Sequence, residues 1–284
     1  MTTHLFYHQE TVEEVCALNS WRSIRDNFAA DDEVIVLDLG NTLRNKLPLT
    51  RHPKFFRTET IRTDTPEERS YTFGLNTIMP LARADWICLW RSDYIYHQRY
   101  FPALKKQMPR HNVIVPYEAF VGTQYANGQW CAENFTELTT GSEDYLIEHS
   151  TVCPVYEVMD CPHFAIKKDL WQNVGGMDQR LWGYGWQFPE LFHRVTALPD
   201  CRLAADFDLL AFHQNHAGSF GLGQYTEEKK RELIQSEYKL REVFGSKDAA
   251  EQFKKRRQPP LRPRRDPECY KLKVHAVPLQ TEAR

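Results

Sequence analysis

Residues 33–42, EVIVLDLGNT, constrain the fold more than any other stretch. Val34, Ile35, Val36 and Leu37 follow one another without a polar break, and Asp38, Gly40 and Asn41 then punctuate the run. A strand with one wet face alternates apolar and polar residues, whereas an unbroken run suits a parallel strand covered on both faces. Upstream, HLFYH (4–8) predicts a first strand. Residues 11–29 predict a helix, with Val12, Val15, Leu18, Trp21 (or Ile24) and Phe28 at helical spacing and a capping-box pair at Thr11 and Glu14. Strand, helix, strand opens a right-handed βαβ unit, and with it an α/β fold.

The same alternation continues. FFRTETI (55–61) predicts a third strand, 70–84 a helix weakened by Gly74 and Pro80, DWICLWRSD (85–93) a strand, 96–108 an amphipathic helix, and 111–122 another strand. Residues 123–160 have no clear period, as in a long loop or a small subdomain near a site. CPHFAIKKDLWQNV (161–174) reads as strand then short helix, 201–216 as a strand pair or one long strand ending in histidines, and 226–244 as a helix with Thr226 at its cap. KKRRQPPLRPRR (254–265) is basic and proline-rich and is not expected to pack. The expected organisation is a main domain over 1–245, with halves at about 1–122 and 123–245, and an extension over 246–284.

Bulk properties exclude several function classes. A formal charge of −2 over 284 residues makes any polyanion contact local, and only the basic tail offers one, to nucleic acid or an anionic membrane surface. No apolar run is long enough to span a bilayer, and the N-terminus lacks the basic and apolar regions of a signal peptide. The seven cysteines include no CxxC pair, which argues against zinc-ribbon and thioredoxin chemistry and for reduced thiols. The expected location is the cytoplasm, with membrane contact at most peripheral.

Chemistry gathers at a few points. Asp38 and Asp93 both end expected strands, and in open α/β sheets ligands bind outside those ends. A carboxylate there can accept from a ribose hydroxyl or bind a metal; each also fits a turn cap. His213 and His216 form an HxxH that, with Asp93, supplies donors for a divalent cation. His4, His8, His163 and His193 are read as hydrogen-bonded surface histidines. The stretch 175–195, GGMDQRLWGYGWQFPELFHRV, carries two glycines and two tryptophans within five residues, 182–186. Glycine lets another molecule approach the main chain, and the faces of Trp182 and Trp186 suit a sugar ring. A loop pinned by buried aromatics is the alternative.

In this order the motifs resemble inverting glycosyltransferases of family 2 and galactosyltransferase-like relatives with the glycosyltransferase A-type fold, over about residues 4–218. VIVLDLGNT is similar to the family strand ending in Asp-Asp-Gly-Ser, with Asp38 and Gly40 matching. GLNTIMPLARADWICLWRSD resembles the helix and strand leading to Asp-x-Asp, with Asn76 and Asp93 matching. FAIKKDLWQNVGGMDQRLWGYGW resembles the acceptor-side segment, and FHQNH the His-x-x-His that completes a metal site. The resemblance implies a mostly parallel central sheet flanked by helices, of the Rossmann-like, nucleotide-diphospho-sugar transferase kind. It further implies a nucleotide-sugar donor contacted by Asp38, Gly40, Asn76 and Asp93. A divalent cation (Mn2+ or Mg2+) would sit at Asp93, His213 and His216, and a glycan or other hydroxyl acceptor near Trp182, Trp186 and Asp178.

Two departures stand out. Arg91 replaces the first acid of Asp-x-Asp, and its permanent, planar charge can itself face a diphosphate. Where the family reads Gly-Trp-Glu-Asp, this chain reads Gly185-Trp186-Gln187-Phe188. Gln187 can hold a hydroxyl but cannot take its proton. Glu190 is the candidate base, with Asp178 as the other acid in reach. Stereochemistry stays open, and so does a second reading in which the chain binds a glycan or nucleotide sugar without turnover. A third is a glycosyltransferase acting on nucleic acid through the basic tail.

Overall fold

The computed structural model describes residues 1–9, 12–39, 43, 46–47, 55–61, 71–158, 160–181, 186–216 and 239–256. The main sheet has seven strands, in spatial order β10-β6-β9-β4-β1-β2-β3. They are β1 (Thr2–His8), β2 (Glu33–Leu39), β3 (Phe55–Ile61), β4 (Trp86–Arg91), β6 (Val113–Pro116), β9 (Phe164–Lys167) and β10 (Leu203–Asp206). All run one way except β9, which is antiparallel to both β4 and β6. Every residue of β2 is buried, as its unbroken apolar run requires of a strand covered on both faces.

Helix α1 (Glu14–Ile24) makes the first crossover. Its buried face runs through Cys16, Ala17, Ser20, Trp21 and Ile24, and Trp21 meets Phe6 of β1 edge-on at 5.3 Å. Asn19 and Ser20 are buried because Asn19 donates to the Gly128 carbonyl and the Gln214 side chain and Ser20 to the Arg91 carbonyl, a use that apolar periodicity does not register. The expected capping box does not form: Glu13 holds the N-cap position without a side-chain hydrogen bond, and Thr11 lies outside the described residues. Helices α2 (Tyr71–Ile78) and α3 (Tyr100–Gln107) follow the expected order.

A second sheet was not anticipated. It has four strands in the order β5-β11-β7-β8, formed by β5 (Tyr94–Tyr96), β11 (Ala211–His213), β7 (Ala119–Gly122) and β8 (Ser150–Cys153). Three times the chain leaves the main sheet and re-enters in the small one: β4 to β5, β6 to β7, and β10 to β11. The expected single strand over 111–122 is therefore two. It breaks after Pro116, which has no N–H to continue a ladder. Likewise 201–216 is a pair of strands in different sheets.

Residues 123–160, read as a long loop or a small subdomain, hold the short helices α4 (Gly128–Glu133), α5 (Phe135–Thr140), α6 (Glu143–Glu148) and α7 (Val155–Val158). Asn127 and Ser142 cap α4 and α6 with their side chains, and Leu138, Leu146 and Cys131 pack with Phe120 and Phe212 on one face of the small sheet. Most of the helix expected over 226–244 lies outside the described residues; 239–243 are helical. A C-terminal helix, Lys247–Arg256, reaches into the segment expected not to pack, and its Ala250 and Phe253 are buried with Leu181 and Leu240. Residues 257–284, most of the basic tail, lie outside the described residues. Among the described residues no helix is long and apolar enough to cross a membrane, and the six cysteines form no disulfide.

Candidate functional site

The seam between the two sheets positions the site. Strand β4 ends at Arg91, Ser92 and Asp93 make the turn, and β5 begins at Tyr94. Strand β11 pairs antiparallel with β5, His213 opposite Tyr94, which brings the HxxH beside Asp93. The N–H of Gln214 donates to the carbonyl of Asp93 at 2.8 Å.

The backbone of this junction is fixed from several sides. Gln214 and Asn215, between the two histidines, are 0% and 1% exposed. Gln214 donates from Nε2 to the carbonyl of Cys16 (2.9 Å) and accepts from Asn19 Nδ2 (2.9 Å). Asn215 donates from its backbone to the carbonyl of Ala126 (2.8 Å) and from Nδ2 to that of Gly122 (2.9 Å). Ser20 Oγ donates to the carbonyl of Arg91, the Arg91 N–H donates to Tyr96 Oη, and His8 Nδ1 lies 2.9 Å from Ser92 Oγ. These positioning residues were not expected from sequence. The signal for them is the pair of amides inside F-H-Q-N-H, just past the end of β11 at His213.

Ligand atoms of Asp93, His213 and His216, all buried, lie within 4.8 Å of one another. The Nε2 atoms of His213 and His216 lie 3.4 and 3.6 Å from Asp93 Oδ2. Arg91 donates to the same oxygen through Nη2. Asp93 Oδ1 and His213 Nδ1 are buried without a hydrogen-bond partner among the described residues. Burial alone would raise the Asp93 carboxyl; the Arg91 guanidinium and the two histidines outweigh it and hold it well below the usual carboxylate range. Burial lowers the His213 imidazole, against the opposing pull of Asp93. A permanently ionised carboxylate and two converging imidazoles are a suitable donor set for a divalent transition metal. The orphaned Asp93 oxygen fits that use.

Neighbouring groups are neutral. His163 is pushed down to about 3 by burial and then by Arg91, and its Nδ1 pairs with Tyr100 Oη at 2.9 Å. Burial holds Tyr94, Tyr96 and Tyr100 well above the usual phenol range. His4 pairs with Asp32 (3.1 Å) and accepts from Trp90 Nε1 (3.2 Å). His4 and His163 are hydrogen-bonded but buried, not at the surface as expected, because their rings pack among aromatic neighbours. Asp38, opposite His8 at the C-terminal edge of β2, is fully buried and accepts from the Leu43 N–H at 2.8 Å, which is the turn-capping alternative. Gly40 and Trp182 lie outside the described residues.

The acceptor-side candidates have other partners. Asn76 donates to the Met177 carbonyl and accepts from its N–H, both at 2.8 Å, so its amide clips α2 to the glycine turn. Gly175 and Gly176 have φ of 73° and 74°, and a Cβ on Gly176 would come within 2.4 Å of Asn76 Oδ1. Glycine is required there for both reasons. Helix α9 (Gln187–Thr196) buries Gln187 and Glu190. Glu190 accepts from Arg194 through both oxygens, at 2.5 and 2.7 Å, and Arg194 also donates to the Val174 carbonyl. Asp178 is bound by Arg180 at 2.9 Å through Nε. Both acids expected as bases thus serve as ion-pair partners. Trp186, at φ 65° the described non-glycine residue with a left-handed backbone, packs against Phe253, with ring centroids 5.9 Å apart.

No family model and no curated protein sequence matches the chain. Among solved structures it is similar to S. aureus TarS 1–349 in complex with UDP-GlcNAc: TM-score 0.50, 11% identity, covering 89% of this chain and 70% of that one. The same fragment without that ligand gives TM-score 0.47 at 10% identity, covering 90% and 70%, and its UDP complex 0.47 at 12%, covering 87% and 73%. At this identity the first likeness speaks to the fold alone: an α/β arrangement of mixed sheets flanked by helices, consistent with a Rossmann-like architecture.

Proposed function

We propose that the chain is a glycosyltransferase with the A-type fold. It moves a sugar from a nucleotide-sugar donor to a hydroxyl acceptor, with a divalent cation, Mn2+ or Mg2+, held by Asp93, His213 and His216. The observation that carries this reading is the convergence of those three buried side chains at the C-terminal edge of the parallel strands. That edge is where open α/β sheets bind ligands, and the fold is one whose solved example holds UDP-GlcNAc.

The cation would supply electrostatic stabilisation of the departing diphosphate. The chain's own residues bind and orient. Arg91 presents a guanidinium beside the cation site, and Asp38, at the end of β2, marks the nucleoside side of the edge. The neutral tyrosines exclude water from beneath Asp93. On the acceptor side Gln187 can hold a hydroxyl, and Asn76 acts by fixing the Gly175–Gly176 turn. We assign the donor to the half around 1–122 and the acceptor to the half around 123–245, with the seam between them.

A second reading, binding without transfer, is favoured by one observation: Glu190 and Asp178 are both held by arginines. Incubation of the full chain with UDP- and GDP-sugars, Mn2+ and a hydroxyl acceptor pool separates the two. Release of UDP or GDP dependent on Asp93 supports transfer. Saturable binding with no release supports the second reading, and neither binding nor release overturns both.

A further inference from the structure

Arg91 precedes Asp93 by two residues, and its guanidinium is on the same Asp93 oxygen that both histidines face. Asp93 is 1% exposed and Arg91 16%. One buried carboxylate therefore serves two cationic claims, an internal guanidinium and an incoming ion. We propose that Arg91 is a built-in competitor of the divalent ion for Asp93, and that ion binding transfers the guanidinium from Asp93 to the phosphate groups of the nucleotide. This rests on the reading of a cation at Asp93, His213 and His216, and deepens it by giving an order: cation first, nucleotide second.

Three features support the exchange. The ion would enter a site whose charge Arg91 has already balanced, and a unit positive charge a few ångströms away opposes a dication even at an effective dielectric constant near 20. The guanidinium also has a second partner, because while it holds Asp93 its central carbon already lies 5.7 Å from the centroid of the Tyr94 ring. Released from Asp93, it keeps a favourable partner while it turns. The Arg91 backbone, finally, is pinned by Tyr96 Oη and Ser20 Oγ, so the movement is confined to the side chain. A planar fork suits phosphate oxygens as well as it suits a carboxylate.

The proposal predicts changes of opposite sign in one variant. Mn2+ binding to the full chain is followed by electron paramagnetic resonance of the free ion, and UDP binding at saturating Mn2+ by calorimetry. In Arg91→Gln, Mn2+ should bind about tenfold tighter or more. UDP should bind about tenfold weaker, since a charge-assisted contact is gone. Arg91→Lys, which keeps the charge, should stay near wild type for Mn2+ and guards against a folding defect in the glutamine variant. Equal or weaker Mn2+ binding by folded Arg91→Gln overturns the competition, and unchanged UDP binding overturns the transfer to phosphate. If neither wild type nor Arg91→Gln binds Mn2+, the cation reading itself fails and the proposal with it. Binding by the variant alone supports the competition but overturns the transfer to phosphate and the cation reading for the natural chain.

Discussion

The seam and the 175–195 stretch are built in opposite ways. At the seam, two buried polar atoms, Asp93 Oδ1 and His213 Nδ1, have no protein partner among the described residues, although three side chains converge on one point. In the 175–195 stretch the acids are closed: Glu190 by Arg194 and Asp178 by Arg180. A buried polar atom without a partner costs about 1–3 kcal/mol. The fold accepts that cost at the place where a ligand can relieve it. It satisfies its acids where sequence reasoning had looked for a base. The seam thus keeps two buried polar atoms unsatisfied, whereas both acids in the described part of 175–195 are braced by arginines.

The comparison breaks first if Asp93 is dispensable. Asp93→Ala should abolish Mn2+ binding and lower any transfer by about 10²-fold or more. It should also cost about 3 kcal/mol in urea unfolding, because it takes the Arg91 guanidinium's buried counter-charge away. The next effect is on pH. His8 is fully buried against Ser92, and burial pushes its imidazole down to about 4. The unfolded chain takes up that proton near 6.5, before the folded one. Stability contributed above pH 6.5 therefore declines as the pH falls toward 4, by at most about 1.4 kcal/mol per pH unit. His8→Asn keeps a polar partner for Ser92, and its unfolding free energy should fall less steeply over the same window.

On the braced side the expected effects are structural. Glu190→Gln should cost about 1–3 kcal/mol and leave UDP binding unchanged. Loss of transfer at unchanged stability would instead make Glu190 the base and erase the contrast. Asn76→Ala should cost about 1–2 kcal/mol through the two Met177 hydrogen bonds, with Mn2+ affinity unaltered. A shift in Mn2+ binding would couple the two regions.

Much of the main sheet was legible because its strands announce themselves. The run Val34–Leu37 demanded two covered faces, and FFRTETI matched β3 residue for residue. The small sheet was not legible. Its strands β5 and β11 are three residues each, too short for a period to emerge, and each continues a main-sheet strand after a brief turn. Asp93, His213 and His216 could be proposed as a group because strand ends and an HxxH are visible in the chain. That they meet at a seam, with Gln214 and Asn215 anchoring the histidines, depends on non-local pairing that one sequence does not display. The partners of Glu190 and Asp178 were within reach: Arg194 follows at i+4 and Arg180 at i+2.

The most direct test of a cation-dependent nucleotide site at the seam is calorimetric titration of UDP into the full chain, with and without Mn2+, for wild type and Asp93→Asn. The account predicts saturable binding by wild type that strengthens with Mn2+, and loss of that Mn2+ dependence in Asp93→Asn. Equal UDP binding by both proteins, indifferent to Mn2+, would contradict it.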